Sequence, residues 1–231
     1  MCGIAGIIGD RDGQRRRQAV AAMTRALTHR GPDDERFFYD ERIALGFRRL
    51  AVIDLVTGEQ PIEIPERRLV IVLKGEIYNF KQLRRELQER GHSFRSTGDV
   101  EVVLRLWAEE GPSCLQRLNG MFALAVWDGR QQKLYLARDR FGIKPLYLCR
   151  EGATVAVASE LRALLAGGFP VERRLDGEAL RHYLSYGFLP ADASLVAGVV
   201  SLPPATLLEI GADGSERMSR YWNPPLAAPP G

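Results

Sequence analysis

The chain has 231 residues, 45% hydrophobic and 26% charged, which supports one or two compact domains with a buried core and excludes a disordered chain. Its 32 Lys and Arg against 29 Asp and Glu leave a net charge of +3, too balanced to argue for nucleic acid or an acidic membrane as partner. Three scattered cysteines, Cys2, Cys114 and Cys149, point to a reducing cytoplasm rather than a disulfide framework, and His29, His92 and His182 offer no metal spacing. The N-terminus has no basic leader and only a short apolar run, so neither a signal peptide nor a membrane span is expected.

In chain order, Gly3 to Ile8 predicts a fully buried strand that turns at Gly9-Asp10, because apolar residues run without polar interruption. A helix follows with Val20, Met23 and Leu27 on its apolar face and Arg15, Arg16 and Arg17 toward water. Beyond the His29-Arg30-Gly31-Pro32-Asp33 loop, short strands are predicted at Phe37–Tyr39, Ile43–Phe47 and Ala51–Leu55. The run Leu69–Leu73 predicts a central strand ending at Lys74-Gly75-Glu76. Helices over Phe80–Arg90 and Asp99–Glu110 each close on a glycine, Gly91 and Gly111. Met121–Trp127 and Lys133–Ala137 predict a hairpin turned by Asp128-Gly129-Arg130. Strands at Leu146–Cys149 and Thr154–Ala158, then helices at Glu160–Leu165 and near Asp176–Tyr186, complete the pattern. Strands and helices in blocks, with hairpins, argue for an α+β fold of antiparallel sheet covered by helices. The Pro-rich end, residues 223–231, predicts a linker.

A cysteine at position 2 carries a specific chemical possibility. Removal of Met1 would free the Cys2 α-amine, whose reference pKa of about 7.7 to 8.0 lets it serve as base to its own thiol. Cys114 and Cys149 read as buried small side chains.

Around Cys2, five blocks occur in order: Met-Cys-Gly-Ile-Ala-Gly, His29-Arg30-Gly31-Pro32-Asp33, Arg48-Arg49-Leu50-Ala51-Val52-Ile53-Asp54, Gly75-Glu76-Ile77-Tyr78-Asn79, and Arg138-Asp139-Arg140-Phe141-Gly142-Ile143-Lys144-Pro145-Leu146-Tyr147. Together with Ser159-Glu160-Leu161-Arg162-Ala163-Leu164, Leu202-Pro203-Pro204 and Arg220-Tyr221-Trp222, they resemble the N-terminal glutaminase half of glutamine-dependent asparagine synthetases. The resemblance implies an N-terminal-nucleophile hydrolase fold, a four-layer α/β/β/α sandwich of two antiparallel sheets between helices. It implies a glutaminase domain over residues 1–222, of which about 170–222 form a C-terminal extension. It also implies hydrolysis of L-glutamine to glutamate and ammonia through a Cys2 thioester, with no cofactor or metal.

By the same resemblance Arg49 holds the substrate α-carboxylate with backbone groups of Leu50, Val52 and Ile53, Glu76 and Asp99 bind the α-ammonium, and the Gly75 N–H faces the oxyanion. Asp99 could instead simply cap the helix that follows it. Two positions depart from the family pattern: Phe47 stands where His is usual, and Lys74 stands where an Asn side chain helps bind the oxyanion. Lys74 could supply that donor, obstruct the pocket, lower the pKa of the nearby thiol and of the Cys2 amine, or pair with Glu76 or Asp99; misplacement is the larger expected effect, so Lys74→Asn is expected to speed turnover. The phosphate loop of the synthetase half, similar to Ser-Gly-Gly-x-Asp-Ser, does not occur, so ATP and Mg chemistry is assigned to a synthetase domain absent here. That ammonia-using domain, in a longer chain or a separate polypeptide, is the expected partner, and a homodimer is a further expectation. Two alternatives stay open: a glutaminase domain serving another acceptor, or a weak or silent relative that docks or regulates.

Overall fold

The computed structural model describes residues 2–9, 12–51, 57–169, 171, 174–190 and 192–225. Expectations for Met1, Asp10, most of the Ala51–Leu55 strand including Val52 and Ile53, and the last residues of the linker lie outside them.

Two six-stranded antiparallel sheets stack face to face. The first runs β10 (Val199–Ser201), β8 (Tyr147–Glu151), β9 (Thr154–Ala158), β1 (Gly3–Ile8), β3 (Ile43–Arg49) and β2 (Asp34–Tyr39). The second runs β12 (Glu216–Arg220), β11 (Thr206–Gly211), β7 (Lys133–Arg138), β6 (Gly120–Asp128), β5 (Leu69–Ile77) and β4 (Ile62–Ile64). Helices α1 (Gly13–Arg25) and α4 (Leu161–Ala166) pack on the outer face of the first sheet, and α2 (Phe80–Glu89) and α3 (Val100–Glu110) on that of the second. A fifth helix, α5 (Gly177–Tyr186), is capped by Asp176 and buries only Ala179.

The α/β/β/α sandwich thus has three apolar layers. Strand parity assigns each side chain: along β1, Ile4 and Ile8 face the second sheet, while Ala5 and Ile7 face α1 and α4. Burial on both sides is why this strand reads as an unbroken apolar run. Along β5, Val70 and Val72 enter the layer between the sheets, and Leu69, Ile71 and Leu73 meet α2 and α3.

Two features differ from the sequence reading, and strands β4, β10, β11 and β12 are not anticipated by it. Strand β5 does not stop at Lys74-Gly75-Glu76 but pairs with β6 through Ile77; the polar residues that suggested its end are buried or line a cavity. Arg16 does not face water: it is 3% exposed, on the same helix stripe as Val20 and Met23, and its guanidinium donates to the carbonyls of Gly9, Asp40 and Glu41. Burial holds that guanidinium below its usual pKa. Residues 199–220, within the stretch read as a C-terminal extension, add β10 to one sheet and β11 and β12 to the other.

Candidate active site

The site lies where the start of β1, the end of β3 and the open end of β5 meet. Pairing of β1 with β3 sets Gly3 opposite Arg48, which brings Cys2 beside Arg49 and Leu50. The Cys2 thiol lies 3.4 Å from the Leu50 N–H donor and 3.5 Å from the Leu50 carbonyl it can donate to. Burial raises the thiol pKa, opposed by the Leu50 hydrogen bond and the nearby Arg49 charge. Behind Cys2, Arg30 Nε donates to the Cys2 carbonyl at 3.2 Å, and the same guanidinium is paired with Glu160, which His29 also contacts. Asp33 ties down the other side: its N–H donates to the Arg49 carbonyl at 3.0 Å and its carboxylate accepts from Ala51 N–H at 2.8 Å. The His-Arg-Gly-Pro-Asp block is therefore a buttress for Cys2 and for the Arg49–Ala51 segment. Of the two adjacent arginines only Arg49 lines the cavity; Arg48 is turned to Glu35 and Thr28.

The opposite wall is the outward edge of β5 beyond the short β4. Backbone parity sends the N–H groups of residues 73, 75 and 77 away from β6. Leu73 N–H donates to the Gln60 side chain at 2.6 Å, whose amide donates back to the Leu73 carbonyl at 3.0 Å. Ile77 N–H donates to Asp99 Oδ2 at 2.9 Å. Between these two satisfied positions, Gly75 lines the cavity with its N–H on the same edge. Gly75 has φ +131°, and a Cβ there would sit 1.9 Å from the Met121 carbonyl oxygen, so no other residue fits.

Glu76 and Asp99 complete this wall. Asp99 precedes α3 but makes no capping hydrogen bond; its carboxylate is spent on β5. Glu76 Oε2 is buried and has no hydrogen-bond partner among the described residues. Burial, and the neighbouring Asp99 charge, push the Glu76 carboxyl upward, and burial does the same to Asp99. Two carboxylates held above their ordinary range, one with an unsatisfied oxygen, form a place for a cation that donates hydrogen bonds.

Cys2, Arg49, Leu50, Gly75, Glu76 and Asp99 thus share one cavity, together with Gln60, which the sequence reading missed because an isolated Gln carries no motif. Val52 and Ile53 lie outside the described residues. Lys74 is corrected. Strict alternation would send Lys74 and Glu76 to one face, yet across the positive φ of Gly75 they end apart. Lys74 is 1% exposed, does not line the cavity, and pairs with neither Glu76 nor Asp99; its Nζ donates to the Pro145 carbonyl at 2.9 Å. Phe47, the other departure, is buried between the sheets.

Comparison with known proteins gives the chain its family. A family model described as a glutamine amidotransferase domain matches residues 1–222. The chain is 35% identical over 225 residues to glutamine-hydrolysing asparagine synthetase 1 of Bacillus subtilis (strain 168), covering 96% of this chain and 35% of that protein. It is 36% identical over 166 residues to the glutamine-hydrolysing asparagine synthetase of Sandersonia aurantiaca, covering 71% of this chain and 31% of that one. The chain therefore spans about a third of the length of these relatives. In fold it resembles the glutamine phosphoribosylpyrophosphate amidotransferase of B. subtilis, solved with ADP and GMP, with a TM-score of 0.70 at 20% identity over 96% of this chain and 49% of that one. The match over nearly the whole chain shows that it belongs to the glutamine amidotransferase domain family, with the N-terminal-nucleophile hydrolase fold.

Proposed function

We propose that this domain hydrolyses L-glutamine to glutamate and ammonia through a thioester on Cys2, and that the ammonia serves asparagine synthesis from aspartate. The observation that carries the reading is the complementarity of one small cavity to every polar part of glutamine. A thiol, a guanidinium, a strand-edge N–H and two carboxylates line it together.

Arg49 receives the α-carboxylate through its planar fork. Glu76 and Asp99 receive the α-ammonium, which supplies the donor that Glu76 Oε2 lacks. The side-chain amide then lies between Cys2 and Gly75. With Met1 removed, the freed Cys2 amine takes the thiol proton, and sulfur attacks the amide carbon. Negative charge growing on the amide oxygen is met by the Gly75 N–H. Collapse of the tetrahedral intermediate breaks the C–N bond, the protonated amine returns its proton to the leaving nitrogen, and ammonia departs. Water, deprotonated by the same amine, then attacks the thioester, releasing glutamate and regenerating the thiol.

This chemistry needs no metal or cofactor. In this reading ATP and Mg belong to an ammonia-consuming synthetase part, in a longer chain or a separate polypeptide, and residues 1–222 are the working unit. The similarity to asparagine synthetases over nearly the whole chain favours aspartate as the acceptor. Among the described residues no helix is long and apolar enough to cross a membrane, and a cytoplasmic site of action fits three free cysteines. Ammonia release from glutamine by the purified protein tests the proposal: Cys2→Ala should reduce it to background with the fold retained, and undiminished release would refute it.

A further inference from the structure

Lys74 is a fully buried amine that the proposed chemistry does not use. Strand parity carries it toward the layer between the sheets, where it follows Val70 and Val72. Its Nζ reaches the Pro145 carbonyl at the end of the loop joining β7 to β8. That loop is held stiffly at its other end. The buried Asp139 carboxylate accepts backbone N–H groups from Phe141, Ile143 and Lys144 at 3.0 to 3.1 Å. Arg138 donates to the Lys144 carbonyl at 2.9 Å and to Ser201 Oγ at 3.0 Å.

The same Asp139 reaches back to β6. Its backbone N–H donates to the Phe122 carbonyl at 2.8 Å, and its carboxylate accepts the Phe122 N–H at 3.2 Å. Phe122 is the residue paired with Gly75 across β5 and β6. The loop therefore grips the Gly75 region twice: through Phe122, opposite Gly75, and through Lys74, directly before it. Between the two grips Gly75 holds its positive φ.

We propose that Lys74 is a positioning residue: through the Pro145 carbonyl it braces β5 against the Asp139–Leu146 loop and so fixes the Gly75 N–H that faces the substrate carbonyl. This rests on the glutaminase reading of Cys2 and Gly75, and it reverses the direction expected from a lysine in place of an oxyanion-binding Asn. The amine needs no charge for the task. A neutral amine still donates to one carbonyl, whereas an ammonium offers three donors and has one acceptor among the described residues in a buried place. Burial, then the charges of Arg30, Lys144 and Arg138, lower its pKa to about 7, with Glu160 the one carboxylate acting against them.

The test uses the purified protein with Lys74→Met, which keeps most of the buried volume while removing the donor, and Lys74→Asn. Glutamine turnover is followed by ammonia release, and amide hydrogen exchange is followed in peptides covering residues 73–77 and 139–146. Lys74→Met should lower kcat at least tenfold while the glutamine KM stays within twofold, and should speed exchange of the loop and β5 amides at least tenfold without affecting α3. Lys74→Asn should also be slower than the parent. Unchanged exchange in Lys74→Met would overturn the brace, and a faster Lys74→Asn would show that position 74 serves better as an oxyanion donor. Should Lys74→Met not fold, the exchange comparison is made on Lys74→Leu, which also removes the donor, with the same criteria. A parent that releases no ammonia would remove the glutaminase reading alone, because exchange still decides whether the amine braces the loop.

Discussion

The two walls of the cavity are built differently. On the side of the first sheet, polar groups satisfy one another: the Cys2 thiol sits between the Leu50 N–H and carbonyl, and Asp33 closes the bonds of Arg49 and Ala51. On the side of the second sheet, the outward edge of β5 is capped by Gln60 at Leu73 and by Asp99 at Ile77, while Gly75 faces the cavity and Glu76 keeps an unpartnered buried oxygen. One wall presents a thiol held between backbone partners. The other carries a buried carboxylate oxygen with no partner among the described residues, which the α-ammonium of glutamine would satisfy in the proposed function.

Breaking the charged contact on the first wall should have the larger effect. In the proposed function Arg49→Ala removes a charge-assisted partner of the substrate carboxylate, a loss of about 2 to 5 kcal/mol when the other charge stays buried. The glutamine KM should rise by tenfold or more in steady-state ammonia assays, with kcat less affected. An unchanged KM would mean that the guanidinium does not touch substrate.

On the second wall, Glu76→Gln should separate binding from stability. Its carboxyl is already pushed upward by burial and by Asp99, so the ionised form is a cost to the folded protein at neutral pH. Removing that charge should raise the glutamine KM severalfold while the thermal midpoint at pH 7.5 holds or rises. A lower midpoint would mean that the carboxylate is bound structurally rather than kept for substrate.

A smaller effect belongs to the pH dependence of stability. Lys74 has an ordinary pKa of 10.5 and a folded value of about 7, so between these values the unfolded chain binds more protons than the folded one. Stability contributed by this group therefore increases as pH rises from 7 toward 10.5, and is lowest below pH 7. Denaturant melts across that range should show a slope in the parent that flattens in Lys74→Met.

The same contrast explains what could be read from the chain alone. The buried strands β1 and β9 were legible because apolar residues fill both of their faces, and the Asp128 turn because its carboxylate accepts the following N–H groups of Arg130 and Gln131. The end of β5 was not, because Lys74, Gly75 and Glu76 look like a loop by composition while each has a specific place in the fold. Edge strand β12 was missed since its residues are largely exposed, and Gln60 because a side chain that imitates a neighbouring strand has no sequence signature. Cys2, Arg49 and Glu76 stand in blocks resembling a known family, and Asp99 follows from the same resemblance outside those blocks, yet their meeting in one cavity follows from strand register, which no motif states. The fate of Lys74 lay equally out of reach, since its acceptor is a backbone carbonyl 71 residues away.

The central claim is that Cys2, as the first residue of the mature chain, becomes acylated by glutamine. Mass spectrometry of protein quenched in acid during turnover tests it most directly. The account predicts an N-terminal peptide beginning at Cys2, without Met1, that carries a glutamyl group lost on treatment with hydroxylamine. Active protein that retains Met1, or that shows no acylated Cys2 under steady turnover while the thioester is trapped at another residue, would contradict it.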